Sequence, residues 1–152
     1  MKQEYQAINS FNGEYKKLSN FYPVVIYYIG RNFPTVEHAF VASKSKNDWM
    51  FHYKISQIPA NQAGKAKRYG RKIKLRDDWE LIKVPTMERF LIQKFSYQDF
   101  REFILSTGNA KLTEGNFWHD NFWGDCSCDK CSNIKGQNQL GKLLMKVREL
   151  VK

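Results

Sequence analysis

No apolar run in this sequence approaches the roughly 20 residues that a membrane span needs, so the chain is expected to stay out of the bilayer. Its opening residues, "MKQEYQAINSF", lack the apolar region of a signal peptide. Cysteine is scarce and odd in number, three in 152 residues, which argues against a disulfide-built scaffold. Together these absences predict a reducing, cytosolic setting. Internal repeats and low-complexity segments are missing too, which leaves no solenoid and no disordered tract. Negative charge is short: 15 Asp and Glu stand against 25 Lys and Arg, a net +10.

That imbalance suggests a polyanionic partner, either nucleic acid or a small ligand with phosphates. Lysine-rich surfaces also serve solubility, so charge alone decides nothing. The densest basic stretch is "GKAKRYGRKIKLR" (64–76), interleaved with apolar residues rather than tail-like. Hydrophobic residues make up 42% and aromatics 15%, which favours a folded globule. The length suits one domain, 1–152, with one core.

The pattern predicts an α+β fold, mostly helical, with a small sheet near the N-terminus. Residues 1–12 read as a lead-in that can form a strand. "PVVIYYIGRNF" (23–33) reads as a hairpin broken at Gly30-Arg31-Asn32. Helices are expected at 36–46, with Thr35 as N-cap, at 59–69 with Gly70 as stop, and at 86–95. Ser96 and Asp99 resemble a capping box opening a helix that Gly108 ends. Residues 109–139 read as loop. Leu140, Leu143, Leu144, Val147, Leu150 and Val151 mark a last amphipathic helix.

Four stretches carry side chains able to do chemistry. In "PTVEHAFVASK" (34–44), Glu37 and Lys44 lie seven residues apart. Helical geometry leaves them about 20° apart around the axis and about 10.5 Å along it. Side chains lean toward the N-terminus, so the lysine stem reaches back toward the carboxylate. Spacing alone suits a solvated face; the apolar neighbours Val36, Ala39, Phe40 and Val41 suit a pocket. In "HDNFWGDC" (119–126), Asp120 and Asp125 flank Trp123 and Gly124. Trp123 can stack on a base and Gly124 can let backbone approach a ligand; equally, the tryptophan can anchor a core and the aspartates make turns. In "LSNFYP" (18–23), Asn20 can hydrogen-bond a ribose or base. The fourth is Cys126, Cys128 and Cys131, which with His119 could hold zinc. The paired CxxC spacing of a standard structural site is missing. Free thiols are the expectation and zinc the alternative.

Taken in order, "LSNFYP", "PTVEHAFVASK", "AGKAKRYGRK", "DDW", Met87, "KF" (94–95), "STGNAKLTEGN", "DNFWGD" and "GQNQLGKLLMKVR" resemble the NADAR (NAD and ADP-ribose associated, YbiA-like) family. The likeness runs from about Phe11 to Leu150. It implies an N-glycosidase that needs no cofactor. Its substrates would be phosphoribosylated or ADP-ribosylated: riboflavin-pathway intermediates, or ADP-ribosylated guanine in DNA or RNA. A non-catalytic ADP-ribose or nucleic-acid binding module is the other reading. The family's catalytic residues fall on Glu37, Lys44 and Asp125. Its binding positions fall on Asn20 and Phe21 of the "SNF" motif, Arg71 after Gly70, Trp79 of "DW", and Asp120, Trp123 and Gly124. The cysteine-bearing segment between Asp125 and Gly136 departs from shorter members, which argues against a catalytic cysteine.

Overall fold

In the "IYYIGRNF" stretch the chain turns back on itself over two residues. The computed structural model, which describes residues 6–152, pairs strand β1 (Ile26–Tyr28) antiparallel with β2 (Arg31–Phe33), Ile26 opposite Phe33. Ile29 and Gly30 both take positive φ, 43° and 74°, as a tight hairpin turn requires. The break therefore falls at Ile29-Gly30, and Arg31 and Asn32 belong to the returning strand.

The fold is α+β and mostly helical. Six helices follow the hairpin: α1 (Val36–Ser43), α2 (Trp49–Ser56), α3 (Ala63–Gly70), α4 (Trp79–Ser96), α5 (Gln98–Ser106) and α6 (Gln139–Leu150). A two-residue parallel pair, β3 (Gly115–Asn116) with β4 (Asp125–Cys126), sits in the segment read as loop. The N-terminal lead-in lies partly outside the described residues; within them, Ile8 makes one parallel bridge to Leu112. A 3-10 helix at Gly13–Leu18 follows. Among the described residues no helix is long and apolar enough to cross a membrane.

The chain divides into two compact units, Asn20–Lys94 and the remainder. In the first, α1 is buried along all eight residues. It begins where Thr35 Oγ1 accepts the His38 N–H at 3.0 Å, a cap that stabilises a helix by about 1 kcal/mol. It ends at Lys44, its C-cap, rather than at residue 46. Helix α2 has no counterpart in the sequence expectations. Asp48 caps it by accepting from Phe51 N–H at 2.9 Å, but "WMFHYKIS" spreads its apolar residues round the helix and shows no single stripe. Helix α3 starts at Ala63 behind a 3-10 turn, and Gly70 is its last residue, not a stop beyond it.

Helix α4 begins seven residues before the expected Thr86 and runs through Pro85. Proline removes one helical N–H, normally a break. Here Pro85 and Leu81, whose carbonyl loses that partner, are both exposed, so water can take the bond's place. From α4, Gln93 bonds both backbone groups of Tyr27, N–H at 2.9 Å and C=O at 2.8 Å, and so covers the edge of β1.

In the second unit, α5 has Tyr97 rather than Ser96 as its N-cap, with no side-chain cap bond. Gly108 follows α5 at φ 60°, as expected of a helix stop. The α6 stripe buries Leu140, Leu143, Leu144 and Val147, while Leu150, the last residue of the helix, is exposed.

Candidate active site

Glu37 is the second residue of α1 and is nearly buried, at 9% exposure. Its backbone N–H donates to the Asn20 carbonyl at 3.1 Å, so the "SNF" turn closes over the start of this helix. Asn20 also donates through Nδ2 to the Met87 sulfur at 3.5 Å, while its Oδ1 is buried without a protein partner. An unsatisfied buried acceptor costs about 1–3 kcal/mol, a cost that a ligand donor would offset.

His38, beside Glu37, is fully buried and structural. Its Nδ1 lies 2.6 Å from Thr35 Oγ1 and its Nε2 3.0 Å from the Ile58 carbonyl. A carbonyl only accepts, so Nε2 carries the proton and Nδ1 accepts from the threonine hydroxyl. Burial pushes the imidazole pKa down, against the Ile58 and Pro59 backbone bonds that raise it.

Lys44 stands at the other end of α1, half-buried. Its Nζ lies 6.0 Å from the centroids of Phe40 and of Trp79. Those two rings pack at 5.0 Å, Trp79 being the first residue of α4. Its carbonyl accepts from Arg76 N–H at 2.9 Å, which ties the end of α1 to the segment leading into α4. The amine pKa is held below the ordinary lysine value. Burial is the main cause; Glu37 opposes it, and the cations Lys67 and Arg71 add to it.

Lys67 and Arg71 are four residues apart, hence neighbours on one face of α3 and its cap. Arg71 is exposed and free to meet an anion. Lys67 was absent from the sequence-based site, although this i, i+4 spacing with Arg71 was the signal that could have found it. Its Nζ sits 5.9 Å from the ring centroid of Phe21, which is itself 40% exposed. Asn20, Phe21, Glu37, Lys44, Arg71 and Trp79 thus fall in one compact unit.

Asp120, Trp123, Gly124 and Asp125 belong to the other unit. Asp120 Oδ1 accepts from the N–H groups of Phe122 at 3.1 Å and Trp123 at 2.9 Å, a turn-making role. Half-buried Trp123 meets Phe122 edge-on at 4.9 Å. Gly124 is buried, and a Cβ there would stand 2.2 Å from the Glu114 carbonyl oxygen. Close backbone packing therefore demands this glycine. Asp125 Oδ1 accepts from Gly136 N–H at 2.9 Å. Cys126, Cys128 and Cys131 are free of disulfides and gather with His119 in the same unit.

The NADAR domain model matches residues 8–152. The chain is similar to the N-glycosidase YbiA of Shigella boydii, 33% identical over 145 residues, 92% of this chain and 84% of that protein. An N-glycosidase of Nostoc punctiforme is 35% identical over 146 residues, 91% of this chain and 86% of that one. A riboflavin biosynthesis protein of Vibrio vulnificus is 35% identical over 140 residues, 87% of this chain but 34% of that longer protein. The NMR structure of the E. coli protein YbiA matches with TM-score 0.80 at 34% identity, covering 98% of this chain and 86% of that one. The likeness spans almost the whole sequence in both its residues and its fold, and the chain belongs to the NADAR domain family.

Proposed function

We propose that this protein is an N-glycosidase that cleaves the bond between C1 of a phosphate-bearing ribose and a nitrogen of its base, through a covalent intermediate on Lys44. The observation that carries the reading is the state of Lys44: an amine with a lowered pKa, half-buried against two aromatic rings, among one carboxylate and two cations. Only the neutral amine is a nucleophile, and burial with cationic neighbours raises its fraction near neutral pH.

In this reading the Nζ lone pair forms a bond to C1. The C1–N bond breaks, and its electron pair goes to the leaving nitrogen, which takes up a proton. The ring oxygen then leaves C1 as a hydroxyl, giving a protonated imine. Water adds to C1, the lysine departs, and the sugar is released as an aldehyde that recloses. Positive charge develops at C1 along this path, and the Glu37 carboxylate stabilises it and handles protons. The family resemblance also names Asp125, in the other compact unit, as a catalytic carboxylate.

Arg71 and Lys67 suit the phosphate. Phe21 suits stacking on a base. Asn20 Oδ1 suits a hydroxyl or amino donor of the substrate. A small phosphoribosylated metabolite and ADP-ribosylated guanine in nucleic acid share this chemistry. The name of the Vibrio relative supports the first, and the net charge of +10 suits the second. Incubation with a phosphoribosylated pyrimidine and, separately, with ADP-ribosylated guanine DNA separates them, with mass spectrometry of the released sugar. Release in either arm supports the activity and assigns the substrate. Binding in both without release would make the chain a non-catalytic binding module.

A further inference from the structure

Around β4 and the 3-10 turn that follows it, the chain draws four metal-ligating atoms together: His119 Nδ1 and the sulfurs of Cys126, Cys128 and Cys131, all within 4.8 Å of one another. We propose that this cluster is a structural zinc site, with three thiolates and one neutral imidazole as ligands.

The backbone explains the convergence. Cys126 and Cys128 are two apart on an extended stretch, so their side chains share a face. Cys128 then caps a 3-10 turn, Asp129–Cys131. With about three residues per turn, that geometry stacks Cys131 over Cys128. His119 completes the set from the far side of the loop, and does so in the left-handed region at φ 67°, uncommon for a residue with a side chain. That conformation places its Nδ1 3.4 Å from the Cys131 sulfur and 3.2 Å from the Cys128 sulfur. Tetrahedral zinc has Zn–S near 2.3 Å and Zn–N near 2.05 Å, which sets S···N edges of about 3.6 Å and S···S edges of about 3.8 Å. The two imidazole–sulfur distances are close to that edge, and the whole set lies within 4.8 Å, near enough for small side-chain shifts to close on one ion.

A second observation is independent of those distances. N–H donors ring the sulfurs from outside. His119 N–H reaches the Cys126 sulfur at 3.3 Å and Cys128 N–H reaches it at 3.5 Å. Asn121 Nδ2 reaches the Cys131 sulfur at 3.3 Å, while its Oδ1 accepts from Cys126 N–H at 2.9 Å. Such donors stabilise negative sulfur and hold the ligands in place. Two of the three cysteines are buried, which would protect zinc-bound thiolates.

Four protein ligands leave no open coordination position, so the role is structural rather than catalytic. A set of three sulfurs and one imidazole favours zinc over the hard cations. Binding one Zn²⁺ displaces the three thiol protons and leaves the site at a net charge of −1. The loop between His119 and Cys126 holds Asp120, Trp123, Gly124 and Asp125, so zinc would staple both ends of that turn.

The test uses the full chain purified under reducing conditions from zinc-supplemented medium without chelator. Elemental analysis should find about one zinc per chain. Stripping the metal should lower Tm by roughly 10 °C and expose three thiols to a thiol reagent. Refilling with cobalt(II) should give the intense visible absorption of tetrahedral cobalt–thiolate. Cys128→Ser should weaken that absorption, and His119→Cys should shift it while keeping the metal. The cobalt spectrum of the unaltered chain decides even where a variant fails to fold. Substoichiometric zinc with no cobalt–thiolate band would overturn the proposal, as would a disulfide within the cluster in the reduced preparation.

Discussion

Lys44 Nζ lies 3.5 Å from the point that a Cβ on Gly70 would occupy, and the two methyls of Val41 lie 3.1 and 3.2 Å from it. Glycine at the end of α3 therefore lets this helix close on the Val41 methyls of α1, with the amine at ordinary contact distance beside them. Gly70→Ala gains about 1 kcal/mol of helix propensity and incurs an overpacking cost of similar size. Stability should thus change little, with the shift falling on Val41, one helical turn before Lys44. If that turn positions the amine, turnover is expected to fall a few-fold, with Tm nearly unchanged. Unaltered kcat in the alanine variant would show that this contact does not position the amine.

Two cations hold the Lys44 pKa down after burial has done the larger part, and Glu37 works against them. Removing a cation, as in Lys67→Met, raises the amine pKa toward its ordinary value. The acid limb of the pH–rate profile should then move to higher pH. Arg71→Met should move it the same way, with an added rise in KM from lost phosphate binding. A limb that stays in place in both variants would mean that Lys44 is not the group titrating in turnover.

Glu37→Gln keeps shape and removes the charge. The remaining carboxamide cannot stabilise a developing cation or move a proton, so kcat should fall about 100-fold. The same change takes away the influence that raises the Lys44 pKa, so any residual activity should show its acid limb at lower pH. Full turnover in a folded Gln variant would remove this carboxylate from the mechanism.

His38 must be neutral to serve Thr35 and Ile58 at once. Its folded pKa lies below its unfolded value, so the unfolded chain binds the proton more readily. The stability it contributes is complete above about pH 6.5, the ordinary imidazole value. It is lost as pH falls from there toward the folded pKa. Chemical denaturation between pH 8 and pH 5 should show that decline in the parent, and a shallower one in a folded His38→Gln variant. Equal slopes would show that another group sets the dependence.

Much of the first compact unit was legible because local signals and tertiary packing agree. Thr35 caps where its sequence position says it should, and the hairpin differs from the expectation by one residue. Helix α2 was hidden because its apolar residues do not form one stripe. The start of α4 was hidden because Pro85 reads as a break, and only its exposed position makes it tolerable. Glu37 and Lys44 looked like a solvated pair until the family resemblance singled them out; their burial depends on α3 and on Trp79, 35 residues beyond Lys44. Gly124 was open to a ligand-facing reading because the Glu114 carbonyl that forbids a side chain there comes from a different strand end. The three cysteines and His119 were legible as a candidate zinc set, but free thiols were the expectation. Their spacing fits no standard pattern, and the left-handed conformation of His119 beside the thiols is a backbone fact no spacing reveals.

The covalent role of Lys44 is the claim on which the rest of the mechanism turns. Borohydride added during turnover, with either ribosylated substrate, reduces an imine to a stable secondary amine. The account predicts a mass adduct of the ribosyl product on the peptide containing Lys44, lost in Lys44→Ala together with most activity. Lys44→Arg should not restore either, because a guanidinium stays protonated and does not attack C1. An active Lys44→Arg enzyme that forms no adduct would contradict the account and leave water as the direct nucleophile.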